Sequence, residues 1–479
     1  MHPIVTESAL TMTRRQWLGR SSLGLGAVAL AQLMPPGHAS AASGLAGLPH
    51  FAPKAKRVIF LFMSGGMSQL ESFDHKPLLV QRHNQPLPDS VLRGRPVLGM
   101  SKNQGAFVSV GSPFPFARHG QSGAWLSSCF PHLATQADKI CFLKGMVSDA
   151  VNHDPAIVFM NSGDQLPGRP CMGSWLNYGL GSENADLPGF IVLVTKKPAD
   201  QPLSGRLWSS GFLPASYQGV PFRAGKEPVL YLTDPAGLPP ALRKSTLEAM
   251  HAVQADTAAR RDDPELRSRI DQYELAFRMQ MSVPDAVSLA GEAPATLERY
   301  GPEVKTPGSF AANCVQARRL CEKGVRFVQL YHPGWDHHGQ LPELFAGTSK
   351  EVDQPAAALL QDLEERGMLK DTLVVFGTEF GRTCYAQGNP GKDTGFGREH
   401  HRNAFSFWLA GAGVKPGLSH GITDDFGFDV VDGRVTVNDL HATLLHLLGI
   451  DHERFTYSFQ GRQFRLTDVA GQLVTPILA

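Results

Sequence analysis

The chain has 479 residues, with 45 Lys and Arg against 44 Asp and Glu and a formal net charge of +1. That near-cancellation gives no electrostatic case for nucleic acid or an anionic membrane surface as a partner. The length is that of one large domain or two ordinary ones, and 49 Gly and 35 Pro imply long loops around a regular core.

In chain order, the first feature is an address. Thr13-Arg14-Arg15-Gln16-Trp17-Leu18 sets two adjacent arginines ahead of a mildly apolar segment, Leu23 to Leu33, which is too short to anchor in a bilayer. Ala39-Ser40-Ala41 supplies small residues at a cleavage point, so residues 1–41 are read as an export signal and 42–479 as the folded region. The pattern resembles a bacterial twin-arginine signal. That implies export, already folded, by the twin-arginine machinery to the periplasm or cell envelope. No later segment is long and apolar enough to cross a membrane, so no stable membrane anchor is expected.

After the signal, Arg57 to Met63 is a continuous apolar run that predicts a buried parallel strand, ended by a sharp turn at Ser64-Gly65-Gly66. The loop that follows carries Glu71 and Asp74. A strand at Ile140 to Leu143 leads to Asn152-His153-Asp154-Pro155 and a helical stretch from Ala156 to Met160, and Gly189 to Val194 predicts another strand. Residues 196–310 are expected to hold an insertion or lid, rich in Gly, Pro, Ser and aromatics from Pro198 to Tyr231, and a charged helical segment from Ala241 to Met281. In that segment Leu266, Ile270, Tyr273, Phe277 and Met281 recur at helical spacing, which is a packing stripe. A helix over 310–323, strand 325–331, helix 353–366, strands 372–376 and 404–409, and a helix over 438–448 complete the chain. Such alternation predicts an α/β fold with a mostly parallel central sheet flanked by helices. The six cysteines form no Cys-x-x-Cys pair and are assigned no chemistry.

Three polar clusters lie beside these strands: Gly334-Trp335-Asp336-His337-His338-Gly339, Thr378-Glu379-Phe380-Gly381-Arg382, and Gly397-Arg398-Glu399-His400-His401-Arg402-Asn403. The first two follow a predicted strand and the third precedes one. Carboxylates and imidazoles gathered from strand ends to one sheet edge suit a divalent metal. The candidate ligands are Asp336, His337, His338, Glu379, His400 and His401. The plain alternative for any one His-His pair is solvated surface.

The stretches Val58 to Gly66, Leu373 to Arg382, Gly397 to Gly417 and Asp439 to Gly449 resemble the alkaline phosphatase and sulfatase superfamily. More closely, Phe51 to Ala479 is similar to a large family of twin-arginine-exported bacterial proteins known only as a domain of unknown function. Gly-Trp-Asp-His-His-Gly, Glu-Phe-Gly-Arg-Thr, Leu448 to Arg454 and Phe464 to Asp468 carry that likeness.

The resemblance implies a sulfatase-like α/β domain that holds one or two divalent ions (zinc, calcium or manganese) and hydrolyses phosphate or sulfate esters. Ser64 stands where the superfamily has its first Asp ligand, with Glu71 or Asp74 as substitutes slightly downstream. Asp336 with His337 or His338 matches a second ligand element. Glu379 keeps a carboxylate, Phe380 replaces its partner ligand, and His400 or His401 matches a later His. In the region of the nucleophile, Pro131 to Gly163, stand Asn152, His153 and Asp154 rather than a hydroxyl or thiol. The sulfatase-type Cys-x-Pro-x-Arg is absent; Cys129-Phe130-Pro131-His132 lacks its Arg.

On that reading His153 is a nucleophile, a base or a further ligand, or water attacks with no covalent intermediate. Arg382 either clamps the anion or makes a structural salt bridge. The function implied is an exported metal-dependent hydrolase of an anionic small-molecule or glycan ester. The alternative is a non-catalytic exported binding protein for an anionic glycan or a protein partner on the same scaffold.

Overall fold

Seven residues, Arg57–Met63, form the central strand β1, in which every residue after Arg57 is buried. Alternate side chains leave a strand on opposite faces. Ile59, Leu61 and Met63 accordingly enter one apolar cluster, and Val58, Phe60 and Phe62 enter the other. A strand buried on both faces needs a helical layer on each side, which is the usual setting of parallel sheets.

The computed structural model describes residues 44–479 apart from 95–100, 103, 199–202, 226–227, 230–244, 246–248, 250–263 and 388–394. The expected export signal lies outside the described residues. So do the expected helix before Pro264 and the side chains of Leu266, Ile270, Tyr273, Phe277 and Met281. Among the described residues, no helix is long and apolar enough to cross a membrane.

The chain runs from β1 through a short helix α1 (Gln69–Ser72), β2 (Ile140–Val147), α2 (His153–Ser162), α3 (Met172–Leu180), β3 (Phe190–Val194), β4 (Val220–Phe222) and α4 (Pro264–Val287). It continues with α5 (Phe310–Glu322), β5 (Phe327–His332), α6 (Leu341–Glu365), β6 (Thr372–Gly377), β7 (Gly381–Gln387), β8 (Gly397–His401), β9 (Phe405–Ala410), β10 (Ser419–His420), β11 (Val435–Thr436) and α7 (Val437–Leu447). The main sheet has nine strands in the order β10-β2-β9-β6-β1-β5-β3-β4, with β11 beside β2. Helices α5 and α6 cover one face, and α2, α3 and α7 the other.

β1 pairs in parallel with β5 and β6, as β3 does with β5 and β4. β9 alone runs against its neighbours β2 and β6. Its direction explains why one polar cluster precedes a strand while the others follow theirs. The start of an antiparallel strand lies at the same edge as the ends of the parallel ones.

Two expectations shift. Helix α6 begins at Leu341, not 353, because Leu341, Phe345, Thr348 and Val352 carry its buried face forward at three- and four-residue spacing through a polar stretch. The second and third polar clusters, for which no strand was expected, contribute to an antiparallel ribbon of β7 and β8 at the sheet edge. That ribbon is seated by a fully buried ion pair in which Arg398 Nη2 lies 2.7 Å from Glu71 Oε1 and Nε lies 3.0 Å from Oε2. Arg398 also donates to the carbonyls of Thr383 and Val110.

A charge left alone in that site is costly, about 3–5 kcal/mol. Glu71→Leu or Arg398→Met singly is expected to lower stability by that order in urea unfolding. The double variant is expected to recover much of the loss.

Candidate metal centre

Four side chains from three places in the chain meet at the sheet edge. His153 opens α2, Asp336 and His338 lie in the loop after β5, and His400 sits on β8. One ligand atom from each lies within 4.8 Å of every other. Around Asp336 Oδ1, His338 Nε2 stands at 2.8 Å, His153 Nε2 at 3.2 Å and His400 Nε2 at 3.3 Å.

Local backbone chemistry sets this up. Gly65 has φ +122°, and a Cβ there would meet the backbone nitrogens of Asp336 and Trp335 at 2.7 and 2.8 Å. The loop bearing Asp336 can therefore lie directly on the turn that ends β1. Gly65 N–H donates to Glu379 Oε1 at 2.9 Å, joining the ends of β1 and β6. Trp335 donates its indole N–H to His332 Nδ1 at 3.0 Å, and His332 Nε2 bonds Glu351 Oε2 at 2.9 Å, so the loop's flank is fixed by a polar chain that runs from two buried rings to an exposed carboxylate.

The structure separates each His-His pair. His338 joins the cluster, whereas His337 is buried near Trp335 and Phe345, and burial together with Arg382 pushes its pKa down to about 3. His400 joins the cluster, whereas His401 stacks on Phe428 with ring centroids 4.2 Å apart. The pairing of β8 with β7 shifts register between Arg398 and His400, an irregularity of the kind that re-aims side chains.

Glu379 is fully buried and stands one step behind the cluster. Its Oε1 takes His153 Nδ1 at 2.6 Å as well as Gly65 N–H, and its Oε2 accepts from Thr378 at 3.0 Å. Both oxygens are thus spoken for. Asn152 is exposed beside the start of α2, and Asp154 is 52% exposed and paired with Arg206, so neither joins the cluster. Glu71 and Asp74 do not join it either, being held by Arg398 and by Thr423 and Lys76. His441 is buried, bonded to the Met160 carbonyl at 2.8 Å.

Arg382 is 1% exposed and turned inward. Nε donates to Gly66 O at 2.7 Å, Nη1 to Arg398 O at 3.1 Å, and Nη2 to Gly65 O and to Asp336 Oδ1, the last at 2.6 Å. In place of a clamp open to an anion, this guanidinium is a buried brace for the Asp336 carboxylate.

Burial works against charge on His153, but the Asp336 and Glu379 carboxylates outweigh it and lift its pKa to about 9. Burial would raise Asp336, yet its three imidazoles and Arg382 hold it far below the ordinary carboxylate range. Glu379 is likewise held down by His153 against its own burial. His400 is lowered by burial, with Arg382 and His153 adding to the effect and Asp336 opposing it.

These residues fit a bound cation. His153 Nε2 is buried and has no hydrogen-bond partner, although it faces Asp336 Oδ1. An imidazole nitrogen aimed without a partner into a ring of other donors is what a metal ligand looks like before the ion is considered.

Residues 55–478 match the family described as Protein of unknown function (DUF1501). The chain belongs to that family. No curated protein matches the sequence. Among solved structures, the phosphonate monoester hydrolase of Silicibacter pomeroyi is 11% identical with a TM-score of 0.33, over 82% of this chain and 73% of that one. The lipoteichoic acid synthase of Listeria monocytogenes is 10% identical with a TM-score of 0.35, over 88% and 76%. The PsFucS1 sulfatase of Pseudoalteromonas sp. is 13% identical with a TM-score of 0.33, over 85% and 69%. These overlaps are loose, and the chemistry is read from the chain's own side chains.

Two supports of the centre escape a reading of the sequence. Gln387 Oε1 bonds His338 Nδ1 from β7, and the Val151 carbonyl bonds His400 Nδ1 at 2.9 Å. The β-propensity of Gly381 to Gln387 is the one signal that could have placed Gln387 near the first cluster.

Gly65→Ala is expected to shift the Asp336 loop and so remove metal-dependent stabilisation, which would be about 2.7 kcal/mol at a hundredfold excess over Kd. Gly367→Ala, at φ +65° with open space around it, is the control and should keep that stabilisation. Thermal unfolding with and without a chelator checks both.

Proposed function

We propose that this chain is an exported metal-dependent hydrolase of phosphate or sulfate esters, working in the periplasm or cell envelope. The observation that carries the reading is the convergence of His153, Asp336, His338 and His400 on one point at the sheet edge. A bound divalent ion would supply Lewis-acid charge there to polarise the anionic group of the ester.

The chain's own residues then divide the work. His153, His338, His400 and Asp336 hold the ion. Glu379 keeps the His153 ring in place, which favours a ligand's role for His153 over a nucleophile's. Arg382 positions Asp336 through its contacts with the β1 turn and with β8. The four ligating side chains are partly exposed, so a substrate can approach them from solvent.

A second reading, a non-catalytic binding protein for an anionic glycan or a protein partner, draws support from one observation. Arg382 donates to protein oxygens from Nε, Nη1 and Nη2 rather than waiting for an anion. Metal content and ester turnover separate the two readings.

Protein purified without a metal-binding tag is expected to carry about one equivalent of metal and to cleave a phosphate, phosphonate or sulfate ester of p-nitrophenol. Asp336→Ala should lose both, with turnover falling at least ~10²-fold. Metal without turnover of any such ester would favour the binding protein.

Export is tested separately. Replacing Arg14 and Arg15 together by Lys should retain the full-length precursor in the cytoplasm on cell fractionation. Unchanged processing and release would remove the twin-arginine route.

A further inference from the structure

We infer that the centre takes a single divalent ion of the zinc class and rejects calcium and magnesium, because Glu379, Gln387 and the Val151 carbonyl turn the Nε2 lone pair of each imidazole inward. The inference rests on the metal-centre reading above and goes beyond it to the class of ion.

A neutral imidazole has one N–H, and whichever nitrogen carries it leaves the other as a bare lone pair. A carboxylate and a backbone carbonyl can only accept. His153 Nδ1 stands 2.6 Å from Glu379 Oε1 and His400 Nδ1 stands 2.9 Å from Val151 O, so both rings spend their proton outward. His338 Nδ1 does the same toward Gln387 Oε1. The three Nε2 atoms converge on Asp336 Oδ1, with those of His338 and His400 in hydrogen-bond contact at 3.0 Å, so a cation that displaces the protons held there meets three nitrogens and one oxygen. No ring can turn away from that point without breaking its Nδ1 bond.

The donor set decides the class. Three nitrogens and one carboxylate oxygen suit zinc and neighbouring first-row ions, whereas calcium seeks six to eight oxygens and magnesium an octahedron of them. The nearby carboxylates have no oxygen to lend. Glu379 serves Gly65, His153 and Thr378, Glu399 accepts from the backbone N–H groups of Ser101 and His400, and Glu71 is bound by Arg398. Among the described residues the cluster is the one group of its kind, so one equivalent is the expected stoichiometry.

The test is competition binding on chelator-treated mature protein with Zn²⁺, Co²⁺, Ca²⁺ and Mg²⁺, for wild type, Gln387→Leu and Glu379→Gln. One equivalent of zinc or cobalt is expected to bind and to resist excess calcium or magnesium. Each variant, if its metal-free unfolding midpoint is close to that of wild type, should bind zinc about 10–100-fold more weakly. Calcium or magnesium competing on equal terms, two equivalents of zinc, or no bound ion would overturn the selection. Unaltered zinc affinity in both variants would overturn the positioning by Glu379 and Gln387. The hydrolase reading fails on different grounds, if zinc-loaded protein leaves every ester intact whichever ion it selects.

Discussion

Asp336 Oδ1 is the point on which the centre is hung. It accepts a hydrogen bond from Arg382 at 2.6 Å and has three imidazole nitrogens within 3.3 Å. A carboxylate half-withdrawn from water keeps its charge only when cations or donors compensate it. Arg382 supplies that compensation permanently, and it is itself fixed by the carbonyls of Gly65, Gly66 and Arg398. The turn after β1, the loop after β5 and the ribbon strand β8 are thereby tied to one guanidinium. In this arrangement the guanidinium's Nε, Nη1 and Nη2 are all engaged by protein oxygens.

The remaining buried charges follow the same rule. Arg398 and Glu71 neutralise each other beneath the ribbon, and Glu379 is matched by His153. His332 links the loop's Trp335 to Glu351 on α6, and Lys197 meets the same carboxylate at 3.0 Å. The Arg398–Glu71, Glu379–His153 and Lys197–Glu351 pairings join segments far apart in sequence. The sheet edge is thus held in one geometry by polar contacts, while the apolar layers on either face supply the bulk of the packing.

Much of this was legible in the residues. Continuous apolar runs between glycine turns are strands because nothing else of that length buries on both faces, and β1, β5, β6 and β9 lie within a residue or two of where the runs place them. The polar clusters beside those strands announced donors at one edge. The ribbon was only half legible: Thr383-Cys384-Tyr385 gives β7 strand character, but the Gly, Arg, Glu and His content of β8 reads as loop, and the ribbon is seated by contacts with Glu71 and Gln69 from α1. The start of α6 was hidden for a similar reason: its first turns bury an apolar stripe inside a polar-looking stretch.

By itself, the sequence determined the class of fold, the edge of the sheet at which donors collect, and the presence of paired histidines there. Those follow from local periodicity and from the direction in which a strand delivers its flanking residues. Only the tertiary structure decided which member of each pair turns inward, that His153 joins them from α2, and that Glu379 stands behind the ligands. The reason is geometric. Adjacent residues on a strand point to opposite sides, so a change of register by one residue on β8 exchanges His400 for His401, while in the loop after β5 the placing of His338 rather than His337 depends on distant partners such as Gln387 and Gly65.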